Sequence, residues 1–187
     1  MNNLYQVPVA ELIDQPLEGA PFFVTSLRKM AILYVATFGL YAFYWFYKQW
    51  SSQRAAMPKK IHPAWRSFFQ IFFTHSLCRR IAERLAGRGE TWKYRATAWS
   101  YVGLMILSSM IDKAMAELTG FATLAAALNL LQLWPLLLIQ RKSNLATDDA
   151  TGSGNSRFST SNIVFVILGV AFWLAYLFVL LPLMSAE

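Results

Sequence analysis

Charge is what this 187-residue chain has least of: Asp, Glu, Lys and Arg make up 14% of it, against about 25% in an ordinary soluble domain. Acid is scarcer still, with 10 carboxylates against 17 lysines and arginines. A single cysteine, Cys78, excludes an internal disulfide and with it a disulfide scaffold. Nine glycines and seven prolines are too few for collagen or for a low-complexity chain. The space is filled by hydrophobic residues, 56% of the chain, 16% being aromatic, for a mean hydropathy of +0.37. A soluble fold of this size still exposes much of its surface and has nowhere to hide so much apolar area. An all-α, polytopic integral membrane protein is expected.

Four uncharged segments are candidate transmembrane helices: 30–47, 96–111, 121–139 and 163–183. The first runs eighteen residues, or roughly 27 Å at 1.5 Å per residue, close to a hydrocarbon core of about 30 Å. Its second end gathers Tyr44, Trp45, Tyr47 and Trp50, an aromatic belt of the kind that settles at the headgroup level. The second segment approaches through Trp92, Tyr94 and Trp99, and the third carries Pro135, an expected kink. Residues 1–20 read as a loosely ordered tail, and 141–161, rich in Gly and Ser, as a flexible loop. No repeat is visible, and 1–187 reads as a single membrane domain. The first thirty residues hold Glu11, Asp14, Glu18 and three prolines without an apolar core and cleavage site. Targeting is therefore expected from the first spanning segment itself.

Cations set the expected orientation. Eleven of the seventeen lie in the 48–95 loop, and Arg141, Lys142 and Arg157 in the 141–161 loop. Four spans place both loops on one side, leaving Arg28, Lys29 and Lys113 opposite. Fourteen against three makes the two loops cytoplasmic. Arg28-Lys29 beside the first span resists this arrangement. A re-entrant first segment that bends at Gly39 and keeps the amino tail inside is the alternative.

Between the first two spans, 63–77 is amphipathic. Pro63 suits a first helical position. Trp65, Phe68, Phe69 and Phe72 share one face, while Arg66, Ser67, Gln70 and Thr74 take the other. The run is too short and too polar to span, so it reads as a helix lying in the membrane interface. With Arg79, Arg80 and Arg84 it forms a candidate surface for anionic headgroups or a partner, each basic residue adding about 1 kcal/mol. Arg79 and Glu83, four apart, are spaced for a surface pair, and Gly87 and Gly89 mark a stop.

Few residues offer chemistry. His75 and Cys78 are three apart and His62 lies thirteen upstream, but nothing assembles the three or four ligands that zinc requires. Gly152 and Gly154 lack the lysine of a phosphate-binding loop, and there is no HExxH, GxSxG or CxxC. No catalytic residue, metal or cofactor is expected. The absence of charge from the middle of every segment speaks against an ion path. Asn129 and Gln132 fall inside the third segment on one helical face. They read as interhelical glue, or alternatively as a small polar pocket.

The segment 21–50, with its core Tyr44-Trp45-Phe46-Tyr47-Lys48-Gln49-Trp50, resembles a group of uncharacterised bacterial inner-membrane proteins whose first helix ends in a Tyr-Trp-Phe-Tyr-Lys-x-Trp sequence. The likeness extends over 65–80, 138–144 and 155–158, and more faintly to Asn3, Tyr5 and Pro8. It implies a bacterial plasma-membrane setting and no particular activity. The expected role is accessory, regulatory or structural and non-enzymatic, with membrane lipids, a membrane-protein partner or a second copy as partners and no nucleic acid. A small transporter or lipid-handling protein using Asn129 and Gln132 is one alternative. An immunity-type protein against a membrane-targeting toxin is another.

Overall fold

The structure, a computed structural model, describes residues 21–114 and 119–184. It is all-helical, with no strand among the described residues. The expected tail 1–20 lies outside the described residues.

Helix α1 spans Leu27–Ala36 and α2 spans Tyr41–Ser52. Ser26 caps α1, its hydroxyl accepting from the Lys29 amide at 3.3 Å. The helix stops at Thr37, whose hydroxyl donates back to the Leu33 carbonyl at 2.8 Å and accepts from the Tyr41 amide at 2.9 Å. Between them Phe38 and Gly39 take φ of 51° and 84°. Two consecutive residues in the left-handed region end a right-handed helix and turn the chain. The chain does reverse: at the far ends, the Phe23 amide donates to Gln49 Oε1 at 3.2 Å, and Gln49 Nε2 donates to the Phe23 carbonyl at 3.1 Å. The single span expected over 30–47 is therefore a helical hairpin. Each arm of 10 or 12 residues rises only about 15–18 Å.

Helix α3 (Pro63–Phe68) packs along α2, and α4 (Gln70–Ala86) follows after a break at Phe69, which has φ −93° and ψ 39°. The interfacial helix expected over 63–77 is thus two helices, the second running on to Gly87. Helix α5 covers Tyr94–Ala114, or about 31 Å. It packs chiefly on α6 (Thr119–Leu131), from which α7 (Leu133–Leu145) continues. The interruption falls at Gln132. Pro135 explains it: the ring has no N–H to donate and collides with the carbonyl four residues back, that of Leu131. Because α7 reaches Leu145, the first residues of the expected 141–161 loop are helical. Helix α8 is Thr160–Met184.

Contacts along the chain set the directions. Asn144 meets Thr25 and Asn129 meets Tyr34, so α6–α7 run antiparallel to α1. Lys29 reaches Asn155 and Arg157, while Gly169 lies against the Ala36 backbone, so α8 runs parallel to α1. A Cβ at Gly169 would overlap the Ala36 carbonyl, which is the close approach that glycine permits. Arg88, just past α4, forms a bidentate pair with Asp148 at 2.7 and 2.6 Å, tying that end to the end of α7. The start of α1, the end of α2, the end of α4, the end of α7 and the start of α8 therefore share one end of the molecule, called the base below.

Among the described residues one helix, over Thr160–Phe178, is long and apolar enough to cross a membrane, with mean hydropathy 2.1 and only 6% of it buried. The four continuous spans expected are not what the chain builds. The first is a hairpin, and the third is divided at Gln132 into two thirteen-residue helices.

Candidate functional site

The aromatic face of 63–77 points away from the protein. Trp65, Phe68, Phe69 and Phe72 are all exposed, Phe72 to 74%. The polar face points inward: Ser67, Gln70 and Thr74 are buried. Ser67 donates to the Phe43 carbonyl, Thr74 to the Gln70 carbonyl, and Gln70 Oε1 accepts from the Tyr101 hydroxyl at 2.9 Å. This is a helix turned inside out relative to one in water, where aromatics bury and polar groups face solvent.

The basic residues assigned to this surface divide. Arg79 is exposed and pairs with Glu83 at 3.6 Å, as their spacing predicts, and Arg84 is half-buried. Arg66 and Arg80 turn toward the protein instead. The Arg66 guanidinium lies 4.3 Å from the centre of the Trp50 ring and 4.9 Å from that of Phe73. Arg80 donates to Gln53 Oε1 and to the Ala56 carbonyl, both at 3.3 Å. An amphipathic Arg can cover an aromatic ring with its own plane, so charge alone did not locate its head.

The aromatic belt divides in the same way. Tyr44 and Tyr47 are exposed, but Trp45 and Trp50 are completely buried. They follow the inward stripe of α2, residues 41, 42, 45, 46, 49 and 50, whereas 43, 44 and 47 face out. Trp45 and Trp50 are core residues rather than headgroup anchors.

Trp45 belongs to a buried polar cluster that sequence reasoning missed. Its indole N–H donates to Gln140 Oε1, which also accepts from Gln49 Nε2 at 3.1 Å. Gln140 Nε2 donates to the Phe23 carbonyl at 3.1 Å and to Asn144 Oδ1 at 2.5 Å. Asn144 Nδ2 donates to the Thr25 carbonyl at 3.0 Å, and Asn155 Nδ2 to that of Val24 at 3.0 Å. Lys29 Nζ donates to Asn155 Oδ1 and to the Arg157 carbonyl, both at 2.7 Å. Gln49, Gln140, Ser143, Asn144 and Thr25 have no exposed surface. The extended strip 22–26 has no helix to satisfy its backbone, and these side chains supply the partners that buried amides and carbonyls require. The cluster clasps both feet of the hairpin to α7. The available signal was spacing: Trp45 with Gln49, and Gln140 with Asn144, are each four apart on one face.

At the other end of the hairpin lies a partly open cavity of about 250 Å³. Three helix interruptions converge on it: Phe38–Leu40, the α3–α4 junction at Phe68 and Gln70, and Gln132. The Tyr34 hydroxyl is placed to donate to the Asn129 carbonyl at 2.8 Å or to Asn129 Oδ1 at 3.2 Å. A Cβ on Gly39 would come within 2.5 Å of that Oδ1, so only glycine brings the hairpin tip this close. Asn129 and Gln132 thus lie side by side on one cavity, the first bonded to the hairpin.

His75 packs edge-on against Trp99 with centroids 4.6 Å apart. Cys78 is fully buried, and burial pushes its thiol up to about 12, far from the range in which thiolates react. Among the described residues no group of three His, Cys, Asp or Glu side chains is placed to hold a metal. On the loop after α7, Asp149 accepts from the Ser153 amide at 2.9 Å and the Gly154 amide at 2.7 Å. Those two amides hold its carboxyl below the usual range, the Gly154 bond contributing most.

No protein-family model, no curated protein and no solved structure matches this chain.

Proposed function

We propose that the protein is an integral plasma-membrane protein with a non-enzymatic accessory or structural role, docking anionic lipid through the basic residues toward its base while the aromatic face of α3–α4 lies deeper, against acyl chains. The observation that carries this reading is the inverted α3–α4 segment. Burying Ser67, Gln70 and Thr74 while exposing Trp65, Phe68, Phe69 and Phe72 is unfavourable in water and favourable against acyl chains. Helix α8, nearly unburied, makes the same argument. In this arrangement α5, α6–α7 and α8 cross, with lengths of about 31, 40 and 37 Å, and the α1–α2 hairpin enters from the base to roughly half depth.

The hairpin also removes the charge conflict at the first segment. Arg28 and Lys29 join the fourteen cations of the two loops, so that sixteen of seventeen lie toward the base and only Lys113 lies at the opposite end. The base is then cytoplasmic. The broken backbone at the tip is tolerated at that depth because it lines a cavity instead of lipid.

Impermeant maleimide labelling of Arg28→Cys and Glu90→Cys in oriented membrane vesicles tests the topology, with buried Cys78 silent. Both positions label from the cytoplasmic face. Labelling from opposite faces would overturn the hairpin reading, and extraction of the protein by alkaline carbonate would overturn membrane integration itself.

A further inference from the structure

We propose that the cavity at the hairpin tip is a binding site for a small, uncharged, oxygen-rich group: a glycerol moiety, carried either by a diacylglycerol-type lipid or by free glycerol. This rests on the membrane reading above and adds an occupant to it. Two of the side chains lining the cavity, Gln132 and Ser108, are only 6% and 5% exposed, and neither has a side-chain hydrogen-bond partner among the described residues. Polar groups with no partner in the protein are ordinarily met by water or a ligand, and two of them bordering one partly open space point to something polar that fills it.

The chemistry of the opening is mostly that of a donor. Gln70 spends its oxygen on Tyr101, leaving its amide N–H groups, and Asn129 brings its own amide N–H groups beside an oxygen that competes with the backbone carbonyl for the Tyr34 proton. With the Gln132 amide and the Ser108 hydroxyl, these groups suit the hydroxyl and carbonyl oxygens of a glycerol ester. Among the described residues no charged side chain lines the space, and against the neutral amides and hydroxyls that do, a phosphate or an ion would go uncompensated. A volume of about 250 Å³ holds roughly eight groups of water size at about 30 Å³ each, the scale of a glycerol unit with its ester oxygens. The rim points to the route of entry. Leu40, Phe43 and Phe68 border the cavity and are exposed, Leu40 to 67%, giving a polar interior an apolar lip. Acyl chains can lie across that lip while the polar backbone of the lipid turns inward.

The full chain is reconstituted in phosphatidylcholine nanodiscs with and without dioleoylglycerol, and bound lipid is read by native mass spectrometry. Free glycerol is tested in parallel by saturation-transfer NMR. The wild type is expected to retain one dioleoylglycerol, with retention at least about tenfold lower in Gln132→Leu and unchanged in Arg88→Ala, a distant base substitution. Unreactive Cys78 reports that each variant is folded, and Ser108→Val carries the test should Gln132→Leu fail to fold. Transfer to free glycerol, lost in the same variants, would support the site with a soluble polyol as its source. Absence of both signals, or signals equal in wild type and cavity variants, overturns the proposal. The topology labelling is independent of either result.

Discussion

Gln140→Leu is the sharpest perturbation of the base, because among the described residues of α7 Gln140 alone bonds both feet of the hairpin through its side chain. Its four contacts do not carry equal weight. Without it, Gln49 Nε2 keeps Ser143 Oγ at 3.2 Å and the Phe23 carbonyl at 3.1 Å, and that carbonyl keeps Gln49. Asn144 Oδ1 keeps the Thr25 amide at 3.4 Å. The Trp45 indole N–H keeps nothing, since Gln140 Oε1 is its partner and the ring has no exposed surface. One orphaned buried donor costs about 1–3 kcal/mol, and the three thinned contacts add less than about 1 kcal/mol each. The expected loss is about 2–4 kcal/mol, above the roughly 0.6 kcal/mol typical of hydrogen bonds between membrane helices. The assay is unfolding of the detergent-solubilised protein by rising SDS, read as the exposure of Cys78 to a thiol reagent. Trp45→Phe removes the orphan, so the double variant Trp45→Phe/Gln140→Leu recovers about 1–3 kcal/mol relative to additivity. A Gln140→Leu loss under about 0.5 kcal/mol, or strict additivity in the cycle, would refute the assignment of this cluster as the clasp.

Three other outcomes are expected. Gly39→Ala forces a Cβ into φ 84° and to 2.5 Å from Asn129 Oδ1, costing at least about 1–2 kcal/mol; an unchanged SDS midpoint would contradict the close approach. Arg79→Gln and Arg84→Gln, the two assigned arginines not engaged with α2 or its following turn, each weaken co-purification of anionic lipid about fivefold, from about 1 kcal/mol apiece, whereas a loss no larger than that of Lys142→Gln would remove them from the docking surface. The carboxyl of Asp149 is held below its ordinary value near 3.8, so it stabilises the 149–154 turn above that pH and the contribution disappears as pH falls through the folded value. Amide exchange at Gly154, corrected for intrinsic rate, should rise on acidification, and in Asp149→Asn this pH dependence should vanish.

Much of the helical content was legible because its cause is local. The uncharged run over 163–183 has the length and composition of a membrane-spanning helix, and α8 contains a stretch, Thr160–Phe178, long and apolar enough to cross one. The aromatic face of 63–77 was legible too, since period 3.6 separates it from Ser67, Gln70 and Thr74 without reference to the rest of the chain. The break at 37–40 was harder to read. Eighteen uncharged residues satisfy the length of a span whether or not the backbone passes through φ > 0 at Phe38 and Gly39, and hydropathy carries no information about φ. The third segment taught the converse lesson. Pro135 marks a disruption in the sequence, but its effect lands about one turn earlier, at Gln132, directly after the Leu131 carbonyl with which the ring competes for space. Gln49, Gln140, Ser143 and Asn144 escaped notice because they flank apolar runs, where polar residues are expected to face water. Their burial depends on a backbone strip, 22–26, that pairs with Gln49 and, more than ninety positions away, with Gln140, Asn144 and Asn155.

That separation has a consequence for how the chain is made. Phe23 and Gln49 can pair with each other early, but the partners that fasten the hairpin feet to the rest of the protein lie between Gln140 and Arg157, so the hairpin waits through at least 91 further residues of synthesis before α7 can receive it. The hairpin is therefore made well before it can be fastened, and a truncation ending before residue 140 would leave it without its anchor.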